Sequence, residues 1–321
     1  MSLESDLAAE RRKTGRRTKA FVVLNPKSGS CSAEDVRKAL SEHLAAAEVE
    51  VHEIADGDDL RSIIREAVGR GCNPVIAAGG DGTVSTVADA LVGTEANLVV
   101  LPLGTANVLA RELGIPVELE GACRLGWSRV NEGSPAGGEH SVVAIDAMRI
   151  EGNHYLTQVG VGIDSLMIRD TAAEHKRRFG RLAYMWTALT QLIGFQPRRF
   201  TITVDDRTIR TRASLVLVAN TGMMGQPPFR WGPDILSDDG RLNVCIVRAR
   251  TVLDYLGLFW VVATHQHTQS TNVRYEVAMR SVVIETRRPL PVQADGEILG
   301  DTPVRIEVVP KALKVVVPAA E

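Results

Sequence analysis

"VIAAGGDGTVSTVADAL", Val75 to Leu91, runs from an apolar strand through two glycines and an acid into a helix. A bare turn needs one glycine, so the second glycine and Asp81 require separate reasons. The spacing predicts a buried strand over "PVIAA" and a helix with Val84, Val87, Ala88 and Leu91 on one face, closed at Gly93. Upstream, "AFVVL" reads as another buried strand. Ser32 to Asp35 fits a capping box opening a helix with Val36, Leu40 and Leu44 on one face. "VEVHEI" is a further strand, followed by a helix with Leu60, Ile63, Ile64, Ala67 and Val68 apolar and Gly71 at its end. Downstream, "LVVLP" is the fourth strand. Strands alternating with helices through short connections predict a doubly wound parallel α/β domain.

Past "NEGSPAGGEHS", Asn131 to Ser141, the pattern changes. This Gly/Ser/Pro-rich stretch is the linker candidate. Beyond it come short β-rich runs, among them "SVVAIDAMRI", "HYLTQVGVG", "FTITVDD", "ASLVLVAN", "LNVCIVRA", "SVVIETRR" and "VRIEVVP". Turn signals between them predict an antiparallel β-sandwich. One helix is expected to interrupt it, with Phe179, Leu182, Ala183, Trp186, Leu189, Leu192 and Ile193 on a shared face. The division is therefore a basic, flexible arm over 1–18, an α/β domain over 19–135 and a β-sandwich domain over 136–310.

Of 321 residues, 45% are hydrophobic and 24% charged, enough for a sizeable core and incompatible with global disorder. A formal net charge of -2 excludes nucleic acid as the main partner. Cys31, Cys72, Cys123 and Cys245 are scattered and form no C-x-x-C pair, so they read as reduced, buried thiols. The N-terminus lacks the apolar core of a signal peptide, and "YLGLFWVVAT" (Tyr255 to Thr264) is too short to span a bilayer. A soluble cytoplasmic protein is expected.

In a doubly wound sheet, ligands sit at the carboxyl ends of strands, where helix N-termini present free N–H groups. Three loops fall there: "NPKSGS" (Asn25 to Ser30), "GGDGT" (Gly79 to Thr83) and "PLGTAN" (Pro102 to Asn107). Each joins glycine, which admits close backbone approach, to Ser, Thr or Asn, which bond phosphate oxygens. Asp81 is an anion beside a site for anions. A metal-bound nucleotide or phosphoryl transfer explains it; the other reading is that Asp81 only caps its helix through the Thr83 and Val84 N–H groups. No G-x-x-x-x-G-K-[ST] occurs, and "GVGID" (Gly160 to Asp164) lacks the third glycine of a dinucleotide fingerprint.

With these motifs in order, the chain resembles the diacylglycerol kinase catalytic family, which includes bacterial lipid kinases and the sphingosine and ceramide kinases. The resemblance runs from about Lys19 to Pro318. It implies an ATP site formed by Asn25, Pro26, Lys27, Ser28, Gly29, Gly79, Gly80, Asp81, Gly82, Thr83, Gly104, Thr105 and Asn107. "ILSDDGRLNV" resembles a magnesium-binding turn, with Asp239 supplying a carboxylate and Leu236 and Arg241 backbone oxygens. "QADGEIL" resembles the Asp-Gly-Glu catalytic turn, carrying Asp295 and Glu297. The family's architecture implies a phosphofructokinase-like nucleotide domain, a lipid-binding sandwich and a last strand, about 311–318, returning to the first domain. Ser85 departs from the common Asn, and "HEIADGDD" from a common Thr, which puts the adenine and ribose contacts in doubt; Val108 replaces a frequent Asp, a change of the kind that tracks substrate branch.

The expected reaction transfers the γ-phosphoryl group of ATP to a lipid hydroxyl, with Mg2+ offsetting charge and a carboxylate taking the proton. Asp81, Asp295 and Glu297 are the catalytic candidates. The Asp295/Glu297 turn is favoured as base, and Asp81 for metal and phosphate positioning, although the sphingosine branch places the base at the GGDG aspartate. The Asp295-Gly296-Glu297 segment alone would also suit an ordinary hairpin turn. Arg11, Arg12, Lys13, Arg16, Arg17 and Lys19, and the helix over 179–193, are candidates for peripheral membrane contact. A strand edge in the second domain offers a homodimer contact. His265 and His267 lack a third ligand and read as structural. The rivals are NAD kinase, which shares the GGDG loop but should carry an Asn-Glu pair in its second domain, and a non-catalytic lipid-binding module, which has no use for four retained acids.

Overall fold

The apolar runs of the first half form β1 (Lys19–Leu24), β2 (Glu48–Glu53), β3 (Val75–Gly79) and β4 (Asn97–Pro102), parallel in the order β2-β1-β3-β4. The computed structural model describes residues 18–29, 31–43, 48–130, 140–170, 196–225, 229–232, 234–263 and 272–319. It falls into two units, Met1–Ile145 with Lys311–Glu321, and Asp146–Pro310. Every residue of β3 and β4 is buried, as continuous apolar runs in a parallel sheet require. β2, "EVEVHE", lies at the sheet edge, and its polar residues keep that edge wet. At the other side, Lys314 and Val315 of the last strand pair in parallel with Asn97 and Leu98.

Helices α1 (Ala33–His43), α2 (Leu60–Gly69), α3 (Asp81–Leu91), α4 (Val108–Glu112) and α5 (Leu119–Val130) join these strands. The capping box forms: the Ser32 N–H donates to Asp35 Oδ2 at 3.1 Å, and the Asp35 N–H to Ser32 Oγ at 3.1 Å. Ile64, Ala67, Val84, Val87, Ala88 and Leu91 bury the apolar faces of α2 and α3.

The second unit holds β6 (Asn153–Tyr155), β7 (Gln158–Gly162), α6 (Ile163–Asp170), β8 (Arg198–Val204), β9 (Arg207–Ala213), β10 (Leu215–Ala219), β11 (Leu242–Val247), α7 (Val252–Ala263), β12 (Val273–Ala278), β13 (Ser281–Thr286), β14 (Pro291–Ala294) and β15 (Glu297–Asp301). β5 (His140–Ile150) enters it and β16 (Val304–Pro318) leaves it. One antiparallel sheet places β13 between β8 and the start of β16, with β9 outside β8. The other runs β12-β11-β10-β7-β14-β15. Phe200, Ile202, Val282 and Ile284 of the first meet Val159, Val161, Val216, Val218 and Val244 of the second in a shared core, which makes this unit a β-sandwich. Leu215, Leu217, Cys245 and Val247 face the other way, into a second core covered by Tyr255 and Leu258 of α7.

Three expectations need adjusting. The helix over 179–193, the basic arm up to Arg17, and His265 and His267 lie outside the described residues. Two helices, α6 and α7, occupy the second unit where none was anticipated; α7 arises because "YLGLFWVVA" is apolar on both faces and has no alternation to commit it to a sheet. The cysteines are all free thiols, but Cys31 is half-exposed rather than buried; burial pushes Cys123 up to about 11 and Cys245 to about 12. Among the described residues no helix is long and apolar enough to cross a membrane.

Candidate active site

The three glycine-rich loops of the first unit interlock. Gly29 adopts φ +77, and a Cβ there would lie 1.7 Å from the Leu103 carbonyl oxygen. A Cβ on Gly79 would strike the Thr83 side chain at 2.5 Å, and one on Gly104 would sit 2.7 Å from Gly80 Cα. Gly79 is thus required to clear Thr83, while the close approach of the neighbouring loop depends on Gly104 rather than on Gly80, where a Cβ would meet Gly104 Cα at an ordinary 3.5 Å. The Asn25 amide donates to Thr83 Oγ1 at 3.1 Å, and the Gly80 N–H to Ser28 Oγ at 3.4 Å.

Asp81 is not the helix cap. Gly80 holds the cap position of α3 with no side-chain bond, while the Asp81 carboxylate accepts the Asn107 N–H on Oδ2 at 2.9 Å and the Val108 N–H on Oδ1 at 2.6 Å. The capping reading through Thr83 and Val84 is thereby replaced, and Asp81 ties the GGDGT loop to the PLGTAN loop. Asn107, buried at φ +49, braces the same loop: its Oδ1 accepts the Gly104 N–H and its amide donates to the Gly104 carbonyl. Asn25 and Asn107 spend their side chains on shaping loops, and Lys27 pairs with Asp56 at 2.8 Å. Thr105 is exposed. What the cradle offers an anion is backbone: the uncapped first turn of α3 and its dipole.

In the second unit, β14 and β15 meet at Asp295-Gly296, with φ +46 and +91, a two-residue hairpin turn. Asp295 does more than turn the chain. Its carboxylate accepts the N–H groups of Leu156, Thr157 and Gln158 at 2.9, 2.9 and 3.1 Å and the Thr157 hydroxyl at 2.5 Å. Glu297, two residues on, is exposed. The structure therefore separates two acids that the sequence leaves as equals: one locks the turn and the other stands clear of it.

Buried Gln293 connects the turn to an acid that sequence reasoning passed over. Its Oε1 accepts the Gly296 N–H at 3.1 Å, and its Nε2 donates to Asp164 Oδ2 at 3.0 Å. Burial pushes the enclosed Asp164 carboxyl up to about 6. Gly160 has no side chain because a Cβ would lie 1.7 Å from Asp164 Oδ2, and Gly162, at φ +134, because a Cβ would lie 2.4 Å from the Ser214 carbonyl oxygen. The signal was an acid inside an apolar, glycine-rich run.

Asp239 sits in the turn before β11, where its Oδ1 accepts the Arg241 N–H at 3.0 Å. Asp146, fully buried in β5, accepts the Gly240 N–H at 2.6 Å and donates its own N–H to the Ser237 carbonyl at 2.6 Å. Burial raises the Asp239 pKa, and the Asp146 charge adds to it. Asp146 was legible as the one acid in "SVVAIDAMRI" but was not singled out. Carboxylate oxygens suit a hard divalent cation, although among the described residues no three acidic, histidine or cysteine side chains gather at one point. Leu236 lies in the same turn, and because its side chain has no donor atom, any metal contact from it is through the backbone.

An α/β unit with interlocked glycine-rich loops, followed by a β-sandwich that bears an Asp-Gly-Glu turn, is the build of a phosphotransferase that acts on an alcohol acceptor. Known proteins agree. The diacylglycerol kinase catalytic domain model matches residues 19–131, and the YegS C-terminal NAD kinase beta sandwich-like domain model matches residues 157–317. The chain is 31% identical over 305 residues to a probable lipid kinase YegS-like of Pseudomonas aeruginosa, covering 94% of this chain and 95% of the relative. It is 29% identical over 314 residues to a diacylglycerol kinase of Mycobacterium tuberculosis, covering 94% and 95%. A crystal structure of a diacylglycerol kinase from Bacillus anthracis superposes with a TM-score of 0.75 at 24% identity, covering 93% of this chain and 96% of that one. The chain belongs to the YegS-like lipid kinases, whose catalytic domain is that of the diacylglycerol kinases.

Proposed function

We propose that the protein transfers the γ-phosphoryl group of ATP to the hydroxyl of a membrane lipid, with ATP held by the first unit and the acceptor handled by the second. The observation that supports this most is the interlocked cradle at the uncapped N-terminus of α3, which offers an anion backbone N–H groups and a helix dipole. Asp81 acts as a positioning residue, fixing the PLGTAN loop through the Asn107 and Val108 amides. Glu297 is assigned as general base, because the Asp295 carboxylate is committed to four donors. Diacylglycerol, the acceptor in the names of the relatives, is the first acceptor to try.

Asp239, with the Leu236 and Arg241 carbonyl oxygens, is the assigned Mg2+ set, and buried Asp146 supports it through the Gly240 N–H. The chemistry a divalent cation supplies is offset of the charge that develops on the transferred phosphoryl group. The test is transfer of labelled γ-phosphate from ATP into diacylglycerol, phosphatidylglycerol, a sphingoid base, ceramide and a polyprenol in mixed micelles, with NAD as a parallel acceptor. Label in a lipid is expected. Label in NAD, or in nothing, refutes the reading.

A further inference from the structure

Helix α7 is apolar on two faces. Tyr255 and Leu258 pack against the core of Leu215, Leu217 and Val247, which accounts for one of them. Leu253, Leu256 and Trp260, at i, i+3 and i+7, share the opposite face and are 77%, 59% and 67% exposed. A helix that is hydrophobic all round is expected in an apolar medium. Half of α7 has that medium in the sandwich, and half does not.

The same end of this unit carries a cluster of positive charge. Arg198, Arg199, Arg212, Arg287 and Arg288 line a cavity of about 630 Å³ whose wall contains no acid among the described residues. Arg212 lies two residues before Ser214, whose N–H donates to the Val247 carbonyl at 2.8 Å and against which the Tyr255 side chain of α7 is placed. An arginine-lined cavity whose Arg212 is two residues from the strand start against which α7 packs, and an exposed Leu-Leu-Trp stripe on that same helix, are together complementary to one kind of surface, in which phosphate groups lie over hydrocarbon. The indole suits that boundary, with an apolar body and a polar N–H edge. α7 has 12 residues, too few to cross a bilayer, so the mode of membrane contact open to it is within the interface plane.

We infer that this end of the β-sandwich is the membrane-docking surface of the enzyme: the α7 stripe enters the headgroup layer while the arginine-lined cavity takes anionic phospholipid headgroups. The inference rests on the lipid-kinase reading for its choice of partner, and its test does not depend on turnover.

The full chain is floated with vesicles of phosphatidylcholine, with and without phosphatidylglycerol. The wild type is expected to bind the anionic vesicles and to dissociate as salt rises. Arg199→Gln, Arg287→Gln and Arg288→Gln together should weaken partitioning on the order of a hundredfold, and Leu256→Ser with Trp260→Ser at least tenfold. All variants should keep the wild-type melting temperature and wild-type turnover of water-soluble dioctanoylglycerol. The blue shift of tryptophan emission on vesicle binding should be lost in Trp260→Phe. Vesicle binding unchanged in both variant sets overturns the proposal, as does a stripe that proves to hold a second copy, with Leu256→Ser changing the solution mass but not flotation. Variants that float normally while dioctanoylglycerol turnover persists sink the docking surface and leave the kinase standing; normal docking without phosphorylation of any lipid does the reverse.

Discussion

Replacing Asp295 by Asn should unfold as much as it inactivates. Asp295 Oδ1 accepts from the Thr157 N–H, the Thr157 hydroxyl and the Gln158 N–H, and Oδ2 from the Leu156 N–H. An Asn side chain can present its oxygen to the first three, but its NH2 group then faces the Leu156 N–H, donor against donor. One buried amide loses its partner and three bonds lose their charge, at a cost of ~2–4 kcal/mol. For a unit of this size that lowers the melting temperature by roughly 6–12 °C. Exposed Glu297 touches none of these donors, so Glu297→Gln should melt with the wild type, within about 1 °C, while losing turnover. Calorimetry of the three proteins, with chemical denaturation as a second probe, checks the contrast. An Asp295→Asn protein that is inactive but as stable as wild type would refute the assignment and return Asp295 to the chemistry.

Asp81→Ala leaves the Asn107 and Val108 N–H groups without their carboxylate, and should raise the KM for ATP by roughly ten- to a hundredfold with a smaller change in the KM for lipid; equal effects on both would contradict a loop-positioning role. Gly104→Ala places a methyl 2.7 Å from Gly80 Cα and 2.8 Å from Asn107 Oδ1, so the cradle must open at ~1–3 kcal/mol. Equilibrium binding of ATP should weaken accordingly, and a variant that binds ATP normally refutes the interlocking. Asp164, raised from 3.8 to about 6, favours folding while protonated; that contribution is full below the unfolded value and is lost as pH rises through about 6. It amounts to at most ~3 kcal/mol, and Asp164→Asn should abolish that part of the slope of unfolding free energy against pH. A slope unchanged in Asp164→Asn argues that the carboxyl is not enclosed as described.

The first unit was readable because its signals are local. Apolar runs such as "LVVLP", the Ser32–Asp35 box and the glycines at 71 and 93 each report the physics of one element, and the parallel sheet follows from their alternation. The loops were readable as a phosphate site, but not the division of labour within them. That Asp81 reaches Asn107 and Val108 depends on contacts 26 and 27 residues apart, and that Asn107 turns back on Gly104 depends on a left-handed backbone that the local sequence does not announce. The second unit was legible as strands and less so as a site. β9, "RTIRTRA", and β12, "VRYEVA", carry their charges on an exposed face and resemble surface loops until a partner strand is present. Asp295, tied to residues nearly 140 positions earlier, is the clearest case: composition shows an Asp-Gly-Glu turn, and only the fold shows which acid is already engaged. α7 was hidden for a different reason, since its exposed apolar face makes no sense in water alone.

The proposed base, Glu297, stands on a turn locked by Asp295. Single-turnover transfer of labelled γ-phosphate from ATP to the acceptor that wild type labels, compared between wild type and Glu297→Gln, tests that assignment most directly. Transfer by Glu297→Gln should be slowed by about 10²–10⁴-fold, with ATP affinity and melting temperature unchanged. Transfer at the wild-type rate would contradict it.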